Sequence, residues 1–448
     1  MIYIFVSIVV LMVSFFLFKV AAGSLSLNKP NMISYIFYFN IVVQTFIAAV
    51  LVVLSLDDHY VISRVSESSR FYGWLATMYL MVSMPFGMLV AKYIFVGNKS
   101  VSSIFDAYVY SSVNVVGIYG RPLKYSVWCF TVVSVLACLY TFLKLGYFPI
   151  VKVITTGGEG LDSLRISATR DFSGVVYIRN ILALSLMPLI SYVWVAYWLA
   201  KRNAYDGIMF LITFIFSISI LYYNFAKAPV LWYLIGYIFI YFYASGSFKI
   251  LKLLMVMLAV FMGLTFMYSL SGVGLDAFVN YNSGPVGRII LGQAAGLFIM
   301  FDVFPVHHEF IGFRSVSVFV SNMFSIEFVE RAARIAMAEF NPQGVREGVA
   351  GVMNSIFIGE AWANFGLIGV ILSPVWVGFV IESLYLFFLK SNKNPVLLAS
   401  FVVFSTGGSV TGGFNDYIYN IGFIVFWGLV FVIFLFAFLL GRVAREAV

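Results

Sequence analysis

The sequence predicts an all-α polytopic membrane protein. Three observations carry this: a mean hydropathy of +1.01, 62% hydrophobic against 10% charged residues over 448 positions, and repeated apolar runs of about 20 residues, the length a helix needs to cross a hydrocarbon core. In lipid only helices or closed barrels satisfy their backbone hydrogen bonds. The strict alternation of barrel strands is absent here.

Eleven spans are expected in order, at 2–20, 32–56, 71–92, 125–146, 178–200, 206–224, 229–247, 250–270, 365–389, 396–412 and 418–441. The first run is too long for a signal h-region and lacks a small-residue cleavage site, so it reads as a retained helix. The region 271–354 is expected not to span. Within it, PVGRIILGQAAGLFIMFDVF (285–304) is apolar but interrupted by Arg288, Gln293 and Asp302. It reads as a re-entrant or interfacial helix, or as a twelfth span. The apolar run 352–389 is too long for one helix, and Gly366 and Gly369 mark a break.

Short connections set orientation. Lys92, Lys99, Arg121 and Lys124, then Lys201 and Arg202, Lys249 and Lys252, Lys390 and Lys393, and Arg442 and Arg445 all fall on one side. That side is the cytoplasm if the N-terminus lies outside and the C-terminus inside. The division is one of identity more than of charge. Ten arginines and three lysines fall outside, against four arginines and ten lysines inside. A point charge suffices to hold a cytoplasmic end, whereas the guanidinium fork matches phosphate and carboxylate. The outer arginines therefore read as a polyanion site or as partners of the outer acids. The net charge of +8 contains no basic run, so nucleic acid is not an expected partner.

The outer loop expected at 147–178, together with the start of the following span, includes TTGGEGLDSLRISATRDFSGVVYIRN (155–180), which carries Arg165, Arg170 and Arg179. Its glycines lack the P-loop Lys-Ser/Thr ending, so no nucleotide cradle is expected. Arg165 and Arg170 are candidates for anion contacts, and Arg179, where the next span begins, for contact or for anchoring. His307 and His308 are candidate bases. In the run 341–370, Arg346 is a candidate for anion binding, and Asn354 and Asn364 for sugar hydroxyls, with Trp362 as a stacking surface. Glu360, close to membrane depth, is a base or the counter-ion of an arginine. Asp57-Asp58-His59 reads as helix-end polarity, Cys129 and Cys138 as an unpaired couple in one apolar run, and no metal or cofactor is expected.

GEAWANFGLIGVILSPVWVGFVIESLY (359–385), preceded by Asn341-Pro342 and Asn354-Ser355, resembles the late segment of the O-antigen polymerases, the Wzy-type oligosaccharide repeat-unit polymerases. The matching features are Gly359-Glu360, the aromatic Trp362 and Asn364-Phe365-Gly366. The arginine loop at 165–179, the turn Lys227-Ala228-Pro229, and Arg288 five residues before Gln293 are also similar to that family. The resemblance implies a GT-C-like membrane glycosyltransferase in the bacterial inner membrane with its active site facing the periplasm. It implies transfer of a growing glycan from undecaprenyl pyrophosphate to a sugar hydroxyl of a new lipid-linked repeat unit. Partners would be that lipid-linked oligosaccharide, membrane lipid and a chain-length regulator protein. Arg165, Arg170, Arg288, Arg314 and Arg346 would meet pyrophosphate and acidic sugars, and Glu360, His307 or His308 would take the acceptor proton. An O-antigen ligase is the alternative within this chemistry. A lipid-linked oligosaccharide flippase or other transporter is the alternative outside it, although the two similar halves expected of alternating access are not apparent.

Overall fold

A computed structural model describes residues 1–156, 161–246, 274–347, 350–407 and 410–446, together with scattered positions between 251 and 269. The expected span 250–270, the lysines 249 and 252, and the glycine cluster at 157–160 fall largely or wholly outside the described residues. Among the described residues all regular structure is helical. Nine helices among the described residues are long and apolar enough to cross a membrane, or ten if a bent pair counts as one span. The chain is a polytopic membrane protein.

The long elements are α1 (Ile2–Ala22), α2 (Met32–Val53), α3 (Glu67–Val96), α4 (Arg121–Leu145), α5 (Ile178–Lys201), α6 (Ala204–Leu221), α7 (Lys227–Ser245), α8 (Ile356–Lys390), α9 (Pro395–Gly407) and α10 (Ile421–Glu446). One expectation is shortened and one takes a definite shape. Of the span expected at 396–412, the described helix covers Pro395–Gly407, 13 residues. The run at 285–304 takes in the end of the first limb and all of the second limb of a pair, Leu275–Ile290 and Ala295–Val303, bent by 85°, a geometry that fits a broken span or a re-entrant turn, as expected of it. The backbone at 291–294 breaks where Gly292 stands, so the pair does not form one straight rod.

Helix α8 packs along α3, which also carries α1, while α9 lies against α5 and α7, and α10 against α4. The α3–α8 contact is made by small residues. A Cβ on Gly87 would stand 2.0 Å from the Val375 carbonyl oxygen, and one on Gly378 would stand 2.0 Å from that of Met84. Helices in lipid gain little from burying apolar surface against each other, so close backbone approach through glycine supplies the contact. The expected break in the 352–389 run is present. Gly366 has φ 59° and ψ −141°, a conformation that glycine adopts without a side-chain penalty, and α8 turns there.

The bundle has a lysine end and an arginine end. At the first, Lys29 pairs with Asp106 at 2.7 Å and Lys124 with Asp206 at 2.5 Å. Gly441 approaches Pro122 there, which places the C-terminal helix end on the same side. Lys393, in the α8–α9 turn, donates to the carbonyl oxygens of Tyr108, Val109 and Ser111 at 2.8, 3.0 and 2.6 Å. Burial pulls its ammonium down to about 8, while those three oxygens favour the charge. They belong to the end of the helix Val101–Tyr110, where a cation also meets the negative pole of the dipole. Lys393→Met is expected to strand these carbonyls and cost about 1–3 kcal/mol. A melt in detergent that matched the unaltered protein would refute the capping role.

Candidate functional site

At the arginine end, the short helices between 274 and 355 lie over the openings of α2, α3 and α8. Tyr281 donates to the Leu56 carbonyl at 2.9 Å, and the Asp58 amide donates to Asn282 at 2.9 Å. Asp302 accepts from the hydroxyls of Ser66 and Ser69, at 2.6 and 3.0 Å, at the start of α3. Arg70 holds the α2–α3 turn through Asp57 at 2.7 Å and three backbone carbonyls. Among the described residues, no three His, Cys, Asp or Glu side chains converge in a manner that holds a metal ion.

The most connected polar group is centred on Glu360. Its side chain is 0% exposed in the first turns of α8. Oε1 accepts from Arg331 Nε and Oε2 from Arg331 Nη2, both at 3.0 Å, a bidentate fork. The Asn415 amide also donates to Oε2, at 2.8 Å. Arg331 Nη1 donates to Asp416 Oδ1 at 3.0 Å, so one guanidinium joins two carboxylates. Burial works against the Arg331 charge, but the bonds to Glu360 and the charges of Glu360 and Asp416 outweigh it and hold the group above the usual arginine range. Behind the pair, Asn364 donates to Asn415 Oδ1 at 2.9 Å and accepts from the Ser315 hydroxyl at 3.1 Å. Asn415 donates to the Ser315 carbonyl at 2.9 Å. Gly413 makes room for all of this, since a Cβ there would stand 2.2 Å from Glu360 Oε2.

Glu360 and Asn364 are thus brought together, with Glu360 in the counter-ion arrangement that was one of its two expected roles. Arg314 follows in the adjoining turn, but its guanidinium folds back onto the carbonyls of Ile311 and Phe310 at 2.9 and 3.3 Å. Trp362 donates to the Phe304 carbonyl at 3.0 Å and stacks near Phe301, which ties the bent pair to α8. Asn354 is exposed and donates to Gln293 at 2.7 Å. His307 is exposed. His308 shares a 2.7 Å hydrogen bond between Nε2 and Glu339 Oε1.

Arg288 is exposed and lines a cavity of about 260 Å³ with Tyr268, Ala277, Ser283, Gly284 and Pro285. Arg346 is exposed on a separate short helix. Arg165 and Arg170 are exposed on the helix Leu161–Arg170, in a strap beside α4, and among the described residues no hydrogen bond or ion pair joins them to the Glu360 group. Arg179 is only 5% exposed. It donates to the Ala168 carbonyl at 2.8 Å and lies 4.5 Å from the Phe172 ring centroid, which fixes that strap to α5. The expected anchor was a snorkelling one with its charge in water, whereas here the guanidinium is buried and ties two segments of the protein together.

Sequence reasoning passed over Arg331, Asn415 and Asp416 as site residues. The available signal was the polar interruption GGFNDY (412–417) between two apolar runs, which places an acid and an amide at a helix mouth. Compared with families of known proteins, curated proteins and solved structures, the chain gave no match.

Proposed function

We propose that this chain is a membrane glycosyltransferase that polymerises undecaprenyl-pyrophosphate-linked oligosaccharide repeat units into O-antigen or a related surface polysaccharide. In this reading it lies in the bacterial inner membrane, with the arginine end facing the periplasm. The observation that carries the proposal is the division among the arginines at that end. Arg70, Arg179, Arg314 and Arg331 spend donors on the protein itself. Arg165, Arg170, Arg288 and Arg346 are exposed and carry no ion pair among the described residues. Unpaired guanidinium groups on a membrane protein fit a membrane-anchored pyrophosphate, and the resemblance of 359–385 to the polymerases supplies the reaction.

In that reaction the acceptor hydroxyl oxygen bonds the anomeric carbon as the bond from that carbon to the pyrophosphate breaks. The leaving group gathers negative charge, which Arg288 and Arg346 would offset; one such donor contributes about 10²–10³-fold in rate. The proton goes to a base. Glu360 is already engaged by Arg331 and Asn415, so we assign the base to His308. With Nε2–H directed at Glu339, its Nδ1 is left to accept, a contribution of about 10²–10⁴-fold.

The test compares lipopolysaccharide ladders from cells with and without the gene. Polymerisation predicts that its loss leaves a single repeat unit on the lipid core. Loss of all glycan from the core would instead assign the chain to ligation or flipping, and outward-facing lipid-linked polymer would single out the ligase. Arg288→Ala and His308→Ala, at normal expression, are expected to shorten the ladder severely. Ladders of ordinary length from both would end the proposed site roles.

A further inference from the structure

The segment 313–328 buries two of its serines and turns large apolar side chains outward. Ser315 and Ser321 are fully buried. The Ser321 hydroxyl and the Val329 amide both donate to the Arg314 carbonyl, at 3.2 and 3.1 Å, and the Ser317 hydroxyl caps the helix Val318–Met323 by accepting from the Val320 amide. The most exposed apolar side chains are Phe313, Val318, Phe319, Met323 and Phe324, between 54% and 70% exposed, with the polar Asn322, Ser325 and Glu327 also exposed between and after them. A water-facing surface segment would show the reverse arrangement, and an apolar patch of this kind marks a contact.

Its neighbours say what it contacts. The Phe313 ring lies 4.9 Å from that of Phe365 on α8, just before the outward-facing Leu367 and Ile368. The Phe319 ring stacks on Tyr419 at 6.0 Å and 17°, two residues before the outward-facing Ile421 that opens α10. The patch therefore continues the apolar belts of two spanning helices beyond their ends. Arg314, Glu327 and Glu330 stand at its margins, where headgroups and water begin. We propose that residues 313–328 lie in the plane of the membrane interface at the arginine end, with Phe313, Phe319, Met323 and Phe324 seated in lipid. Because Ser315 of this segment bonds both Asn364 and Asn415, the Glu360 group is held at the bilayer surface rather than above it. This placement follows from burial and packing alone and is independent of the transferase reading.

The experiment uses the full chain with Cys129→Ser and Cys138→Ser, reconstituted in phosphatidylethanolamine and phosphatidylglycerol vesicles. A nitroxide is attached at Phe319→Cys or Met323→Cys, with Leu367→Cys as the lipid reference and Gln343→Cys as the aqueous one. Collision with oxygen is compared with collision with a water-soluble nickel chelate, on samples first shown to be monodisperse. The expected oxygen preference at 319 and 323 matches that at 367. A nickel preference like that at 343 would overturn the proposal. Protection from both agents would overturn it too, since a second copy or another protein would then cover the patch.

Discussion

Arg331→Ala is expected to destabilise the protein by about 3–5 kcal/mol, the cost of breaking a buried pair and leaving one charge behind. Glu360 is 0% exposed, and its two oxygens receive two of their three hydrogen bonds from Arg331. After truncation only the Asn415 amide would remain, and the carboxylate would stay enclosed between α8 and the turn at Gly413. Arg331 itself is 37% exposed, so the cost arises from the stranded acid more than from the lost arginine surface. Two further variants separate these contributions. Glu360→Gln combined with Arg331→Ala removes the charge along with its partner and is expected to recover much of the loss. Arg331→Lys keeps a charge but not the fork, and is expected to fall between. The readout is thermal loss of monodisperse protein in detergent. Equal melting of Arg331→Ala and the unaltered chain would show that the pair does not hold the 274–355 region to α8.

Gly378→Leu is expected to separate α3 from α8, with a cost of about 1–3 kcal/mol or more from overpacking. The new Cβ would stand 2.0 Å from the Met84 carbonyl oxygen, and backbone cannot move aside as the end of a flexible side chain can. The facing Gly87 is equally tight against Val375, so neither helix can slide to relieve the other. Gly378→Ala is expected to show the same defect in weaker form. Because α8 carries Glu360 and Asn364 about four to five turns above this contact, the shift should also reduce whatever activity the arginine end supports. The comparison is the yield of folded protein after extraction, beside melting. Wild-type behaviour of Gly378→Leu would mean that the two backbones are not in contact.

Much of this was legible in the chain. Long apolar runs with few charges have little choice in lipid but to form helices, so α1 to α8 and α10 follow from composition and length. The break at Gly366 was legible because glycine inside an overlong apolar run weakens the helix at a known point. The two ends were legible because lysines recur in alternate connections, and the structure gathers Lys29, Lys124 and Lys393 on one side. The fate of individual arginines was not legible. Arg179 and Arg165 share one loop and the same chemistry, yet one is buried beneath Phe172 and the other is exposed.

Spacing along a chain says nothing about residues that approach from distant segments. Arg331, Glu360 and Asp416 are 29 and 56 positions apart in sequence, and only the folding of the 274–355 region over α8 and of the turn at Gly413 beneath it joins them. The sequence by itself determined a helical membrane protein with a basic, arginine-bearing end, because hydropathy and charge act locally. Only the tertiary structure decided which arginines are consumed in ion pairs and which are left exposed, because that depends on which carboxylates and carbonyls the packing brings within about 3 Å.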